Sequence, residues 1–142
     1  MKPERDRYME KWEEVYKGSV PDEEYRVLVQ NGEEFGLSIK LEGSKHTVDI
    51  FFGAGASVRM LEEGVISPDL FKGDDFINYK NDKFSNIIYK VDNGKFGNLA
   101  KIASEDLYEF LEIKHYVVIT MNYVIDIITE WEPEIEVKEK YL

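Results

Sequence analysis

Two apolar runs separated by a turn constrain this chain more than any other feature. His115-Tyr116-Val117-Val118-Ile119-Thr120 and Tyr123-Val124-Ile125-Asp126-Ile127-Ile128-Thr129 stand on either side of Met121-Asn122. A two-residue connection has hairpin length. Neither run alternates with polar residues, which is the pattern of central strands buried on both faces. Asp126 is the exception inside the second run. A buried carboxylate needs a partner, so the run predicts either a basic residue on an adjacent strand or an edge position. Asp49, inside Val48-Asp49-Ile50, poses the same question.

Earlier segments read differently. From Tyr25 onward the period is two. Phe35, Leu37, Ile39 and Leu41 alternate with small or polar residues, as do Val48, Ile50 and Phe52, which predicts half-buried strands joined by a turn at 42–45. Gly53-Ala54-Gly55-Ala56 breaks the pattern before a third strand at 57–61, giving a meander. Residues 64–83 are rich in turn formers and predict a long irregular loop, of the kind that is often functional. Residues 86–91 form a further strand. Phe96, Leu99, Ala100 and Ala103 share a helix face, and Ser104 suits the cap of a second turn bearing Leu107, Phe110 and Leu111. At the N-terminus, Tyr8, Trp12, Val15 and Tyr16 share one helical face, with Pro3 at the start and Gly18 as the stop, predicting a helix over 3–17. The expected fold is α+β, a mainly antiparallel sheet of about six strands with an N-terminal helix and one or two further helices packed on it.

The chain has 142 residues, the size of one domain spanning 1–142, and 43% of them are hydrophobic. It has no cysteine, which removes disulfides, zinc-thiolate and iron–sulfur sites. No apolar run nears the roughly 20 residues that span a bilayer. The N-terminal MKPERDRYMEKWEE lacks the apolar core of a signal peptide, so the expected compartment is the cytoplasm. The net charge is −11, from 29 acids against 18 bases. Such a surface repels nucleic acid and anionic lipid and attracts a basic partner. The same charge also serves solubility alone.

Catalytic signatures are missing. His46 and His115 stand apart, outside any metal-binding spacing, and each is read as ending a strand or pairing locally. Gly53-Ala54-Gly55-Ala56-Ser57 lacks the Lys and hydroxyl of a Walker loop and the third Gly of a dinucleotide loop, which leaves a turn. No serine sits in G-x-S-x-G. No cofactor and no metal is expected. The acid pairs Glu33-Glu34, Glu62-Glu63, Asp74-Asp75 and Glu105-Asp106 read as solvated surface, with one of more interest. Asp74 and Asp75 lie beside Phe71, Phe76, Ile77 and Tyr79 in the long loop. Acids steer and aromatics anchor, unless these aromatics instead pin the loop to the core. The candidate partner-binding residues are Asp74, Asp75, Phe76, Tyr79, Glu62 and Glu63.

Several segments together resemble bacterial polymorphic-toxin immunity proteins over roughly residues 46–135. They are Val48-Asp49-Ile50-Phe51-Phe52, Ser57-Val58-Arg59, Glu62-Glu63-Gly64, Ile87-Ile88-Tyr89-Lys90-Val91, Asp92-Asn93, the helix from Lys95, the hairpin 115–128, and Glu132-Pro133-Glu134. The matching positions are strand and turn residues and carry no catalysis. The resemblance implies a non-enzymatic protein that binds and occludes a basic toxin domain. Two other readings stay open: an enzyme whose carboxylates converge only in the fold, and a self-assembling protein whose segments 3–17 and 130–142 pack between copies.

Overall fold

The computed structural model describes residues 9–66, 74–81, 83–84, 86–103 and 112–140. In chain order the elements are β1 (Lys11–Glu14), β2 (Arg26–Gln30), β3 (Leu37–Glu42), β4 (His46–Gly53), β5 (Ser57–Glu62), α1 (Asp75–Asn81), β6 (Ile88–Asp92), α2 (Lys95–Ala103), β7 (Lys114–Ile119), β8 (Tyr123–Thr129) and β9 (Glu134–Glu139). The fold is α+β. The strands form two antiparallel sheets, ordered β1-β6-β7-β8-β5 and β2-β3-β4-β9.

The hairpin β7–β8 lies inside the five-stranded sheet, and its side chains are buried on both faces. Tyr116, Val118, Ile125 and Ile127 join Ile88 against Leu37, Ile39, Leu41, Val48, Ile50 and Phe52 of the four-stranded sheet. The alternate positions Val117, Ile119 and Val124 join Tyr89, Val91, Trp12 and Phe76 on the other face. Three layers result: the four-stranded sheet, the five-stranded sheet, and the two helices. At β7 and β8 the middle layer is covered on both faces, so these two strands carry apolar residues on both. The four-stranded sheet has one wet face, so β3 and β4 alternate.

The sequence expectation of one six-stranded sheet is corrected to nine strands in two sheets among the described residues. Two causes account for the difference. Gly53 and Gly55 adopt positive φ (+85° and +77°) and carry the chain from one sheet to the other. β5 therefore pairs with β8 and not with β4, so the expected meander ends at β4. The second cause is β9. In Glu134-Ile135-Glu136-Val137-Lys138-Glu139 only two residues are apolar, and the charged ones hide a period-two pattern that pairs with β4.

The N-terminal helix is also corrected. Residues 1–8 lie outside the described residues, but Lys11–Glu14 form an edge strand on β6. The inward positions are Glu10 and Trp12, 2% and 6% exposed. Because one of them is a carboxylate, the alternation does not look apolar, and the aromatic spacing imitates a helix. Val15 N–H continues the ladder to Ile88 O at 3.1 Å, and Tyr16 at φ +53° ends it.

Within 64–83 the expected loop contains a 3-10 turn at Glu63–Val65 and the helix α1. Phe71 and the segment carrying Ser104, Leu107, Phe110 and Leu111 lie outside the described residues.

Candidate functional site

The six sequence-derived candidates fall into two groups. Asp75, Phe76 and Tyr79 converge on Trp12. The Asp75 carboxylate accepts the Trp12 amide at 2.7 Å, and the Tyr79 hydroxyl donates to Trp12 O at 3.4 Å. Phe76 is buried, its ring 5.6 Å from the Trp12 ring. These aromatics and Asp75 pin α1 to β1. Asp74 is exposed just before the helix. Glu62 is exposed at the end of β5, and Glu63 lies 3.8 Å from Lys80.

Glu63 also opens onto a cleft of about 700 Å³ formed by residues 18–25, the α1–β6 connection and the β7–β8 turn. Four carboxylates line it (Asp22, Glu23, Glu24 and Glu63) against two lysines, Lys80 and Lys83. Its apolar lining includes Val20, Phe84, Ile87, Ile119 and Met121, the last 48% exposed. Glu23 is fixed within this wall: it accepts the Lys45 amide at 2.7 Å and pairs with His46. Burial works to raise its pKa, but the Lys45 amide and His46 outweigh it, and the carboxyl titrates below its ordinary range. Tyr25 donates to Pro21 O at 2.6 Å, and burial together with the Glu23 and Asp22 charges pushes its hydroxyl up to about 12. At neutral pH Glu23 is thus an anion while the Tyr25 phenol stays neutral.

A second charged assembly is hidden under α2. Asp126 is 0% exposed. Its Oδ2 accepts Arg59 Nε at 2.9 Å and Nη2 at 2.7 Å, and its Oδ1 lies 2.7 Å from His115 Nε2. The Arg59 guanidinium also stands 4.8 Å over the Phe96 ring. Glu10 accepts the Trp12 indole N–H at 3.2 Å and the Lys95 amide at 3.1 Å. Burial raises the Glu10 pKa, and these two bonds oppose the rise only in part. His115 Nδ1 is buried without a hydrogen bond. A Cβ at Gly94 would come within 2.6 Å of it, so the helix start lies directly on the imidazole. The cluster balances buried charge within the five-stranded sheet. Of the two sequence alternatives for Asp126, a basic neighbour or an edge position, the structure gives the basic neighbour Arg59, and both histidines pair with carboxylates; Glu10 does not follow from the sequence, since a lone acid before Trp12 looks like surface.

The wet face of the four-stranded sheet holds a trough of about 400 Å³. Its charges largely satisfy one another: Arg26 and Lys140 lie 3.2 and 3.0 Å from Glu42, and Lys138 lies 3.4 Å from Glu136. Asp49, the other acid in an apolar strand, faces this trough with Oδ1 buried and unbonded.

No protein-family model matches the chain, and neither does any curated protein or solved structure. Among the described residues, no group of three or more His, Asp or Glu is placed to hold a metal ion. No helix there is long and apolar enough to cross a membrane.

Proposed function

We propose that this chain is a non-enzymatic binding protein of the immunity type, which neutralises a basic toxin domain by occluding its active surface. The cleft carries the reading. It combines four carboxylates with an apolar floor on a chain of net charge −11. Carboxylates at a rim steer a cationic partner and set its orientation. Apolar area that is desolvated on contact supplies affinity that exposed charge does not. Glu62 and Glu63 belong to this end of the molecule. The most buried acids among the described residues, Asp126 and Glu10, are bonded to their own partners, which favours binding over carboxylate catalysis.

The test is capture by the tagged chain from its native cell, washed at low and then moderate salt. The expected result is one basic protein retained in fixed ratio, toxic when expressed alone and harmless when this chain is co-expressed. Asp22→Lys with Glu24→Lys should weaken retention and protection together. Undiminished protection by that variant would remove the cleft from the mechanism, and the absence of any toxic partner would remove the immunity reading.

A further inference from the structure

The end of the molecule away from the cleft carries large aromatic side chains turned to solvent. Phe35 is 78% exposed, Trp131 50% and Phe51 37%. They come from three separate segments, and Gly53 brings them together. A Cβ on Gly36, the residue after Phe35, would stand 2.6 Å from the Gly53 carbonyl. A Cβ on Gly53 would strike the Trp131 indole. Phe51 lies two positions before Gly53 on β4. This backbone contact is held rigidly. Trp131 Nε1 donates to Ala54 O at 3.1 Å, Asn31 donates to Ala56 O at 3.1 Å, and Thr129 Oγ1 donates to Phe52 O at 2.9 Å.

The loops that carry and adjoin Phe35 and Trp131 are charged with one sign. Residues 31–36, 53–57 and 130–134 contain Glu33, Glu34, Glu130, Glu132 and Glu134 and no Lys, Arg or His. Two described cations border them: Lys114, whose Nζ lies 3.1 Å from Glu130 O, and Lys40, diagonal to Phe51 on the same face of β3 and β4. Rigid aromatics lose little conformational entropy on binding and dominate interface energies. Aromatic faces also attract guanidinium and ammonium groups. Five carboxylates repel acidic proteins, anionic membranes and a second copy of this chain, so the complementary partner is cationic.

We infer that the surface formed by Phe35, Phe51 and Trp131 is a docking site for an arginine- or lysine-rich protein segment. It is distinct from the cleft, since Gly53 and the β3–β4 turn that Glu23 holds are at opposite ends of β4. That strand of eight residues spans roughly 25 Å. The inference therefore stands whether or not the cleft binds a toxin.

The experiment is selection of a displayed library of random 12-residue peptides on the full chain, followed by titration of the enriched peptides. Enriched sequences should be cationic. The chain has two tryptophans, and on peptide addition the indole N–H resonance of Trp131 should shift while that of the buried Trp12 stays. Phe35→Ala, and separately Glu33→Lys with Glu34→Lys, alter exposed turn positions and should each weaken binding by about tenfold. Asp22→Lys with Glu24→Lys, in the cleft, should leave it unchanged. The inference is overturned if no cationic sequence is enriched, if the enriched peptides bind the Phe35 and Glu33/Glu34 variants as tightly as the parent, or if their binding shifts cleft resonances and spares Trp131.

Discussion

Arg59 and Asp126 stand directly opposite each other on the paired strands β5 and β8, joined by two hydrogen bonds of 2.9 and 2.7 Å to a single carboxylate oxygen. The second oxygen is occupied by His115 from β7. One buried acid thus ties three adjacent strands together. Removing one member of such a pair strands the other charge in a low-dielectric interior, whereas removing both relieves it. Asp126→Ala should therefore destabilise the chain by about 3–5 kcal/mol. The double change Arg59→Met, Asp126→Leu should cost less than the two single changes added together. Urea unfolding of the four proteins measures both.

Glu10 gives a dependence on pH of unusual sign for a carboxylate. Burial lifts its pKa above the ordinary 4.5, with the Trp12 and Lys95 hydrogen bonds opposing. A carboxyl with a raised folded pKa binds its proton more tightly when folded, so its contribution is most favourable below 4.5 and declines as pH rises through the folded value. Glu23 and Glu42 shift the other way: their contributions are present above 4.5 and decline as pH falls through their lowered folded values. Carbon-detected NMR titration should find Glu10 above 4.5 and the other two below it. A Glu10 midpoint below 4.5 would show that its hydrogen bonds outweigh its burial.

The glycines at the sheet crossing make a graded series. Gly36 and Gly53 combine positive φ (+73° and +85°) with close backbone or indole contact, whereas Gly55 has φ +77° and open space. Gly55→Ala should cost about 1–2 kcal/mol for the left-handed backbone alone. Gly36→Ala and Gly53→Ala should each cost more, because the added methyl also displaces a neighbour. Chemical denaturation resolves the ranking, and equal losses at all three sites would remove the contact argument.

Asp74 and Asp75 are adjacent in sequence and opposite in role. Asp75 receives the Trp12 amide, while Asp74 is exposed. Asp75→Ala should lose about 1.5–3 kcal/mol, the range for a hydrogen bond to a charged group. Asp74→Lys should stay within about 0.5 kcal/mol of the parent. Thermal unfolding of the two variants separates them.

What the sequence reveals follows from how locally each feature is determined. The hairpin β7–β8 is legible because burial on both faces leaves an unbroken apolar run, and α2 is legible as a helix because Phe96, Leu99, Ala100 and Ala103 repeat at helical spacing, although Leu99 (59% exposed) and Ala103 face outward and its buried position is Gly97. That Asp126 needs a partner or an edge position is legible from its surroundings, but which of the two is not. β1 is not, because the residue that shares its buried face with Trp12 is Glu10. β9 is not, because two apolar residues among charges do not announce a strand until β4 is there to pair with it. The cleft is least legible of all: its walls come from four separate stretches, and no local pattern ties Asp22 to Glu63, Lys80 or Met121.

The partnership of β4 with β9 fixes an order of events as the chain is made. β4 pairs on one side with β3, which immediately precedes it, and on the other with a strand about ninety residues downstream. Until that last strand leaves the ribosome, the second edge of β4 has no intramolecular partner, with Val48, Ile50 and Phe52 along it. A nascent chain in this state offers an unpaired β edge to any other nascent chain nearby. The acidic residues that disguise β9 in the sequence make that strand itself a poor template for aggregation, so the hazard is confined to the interval before it arrives.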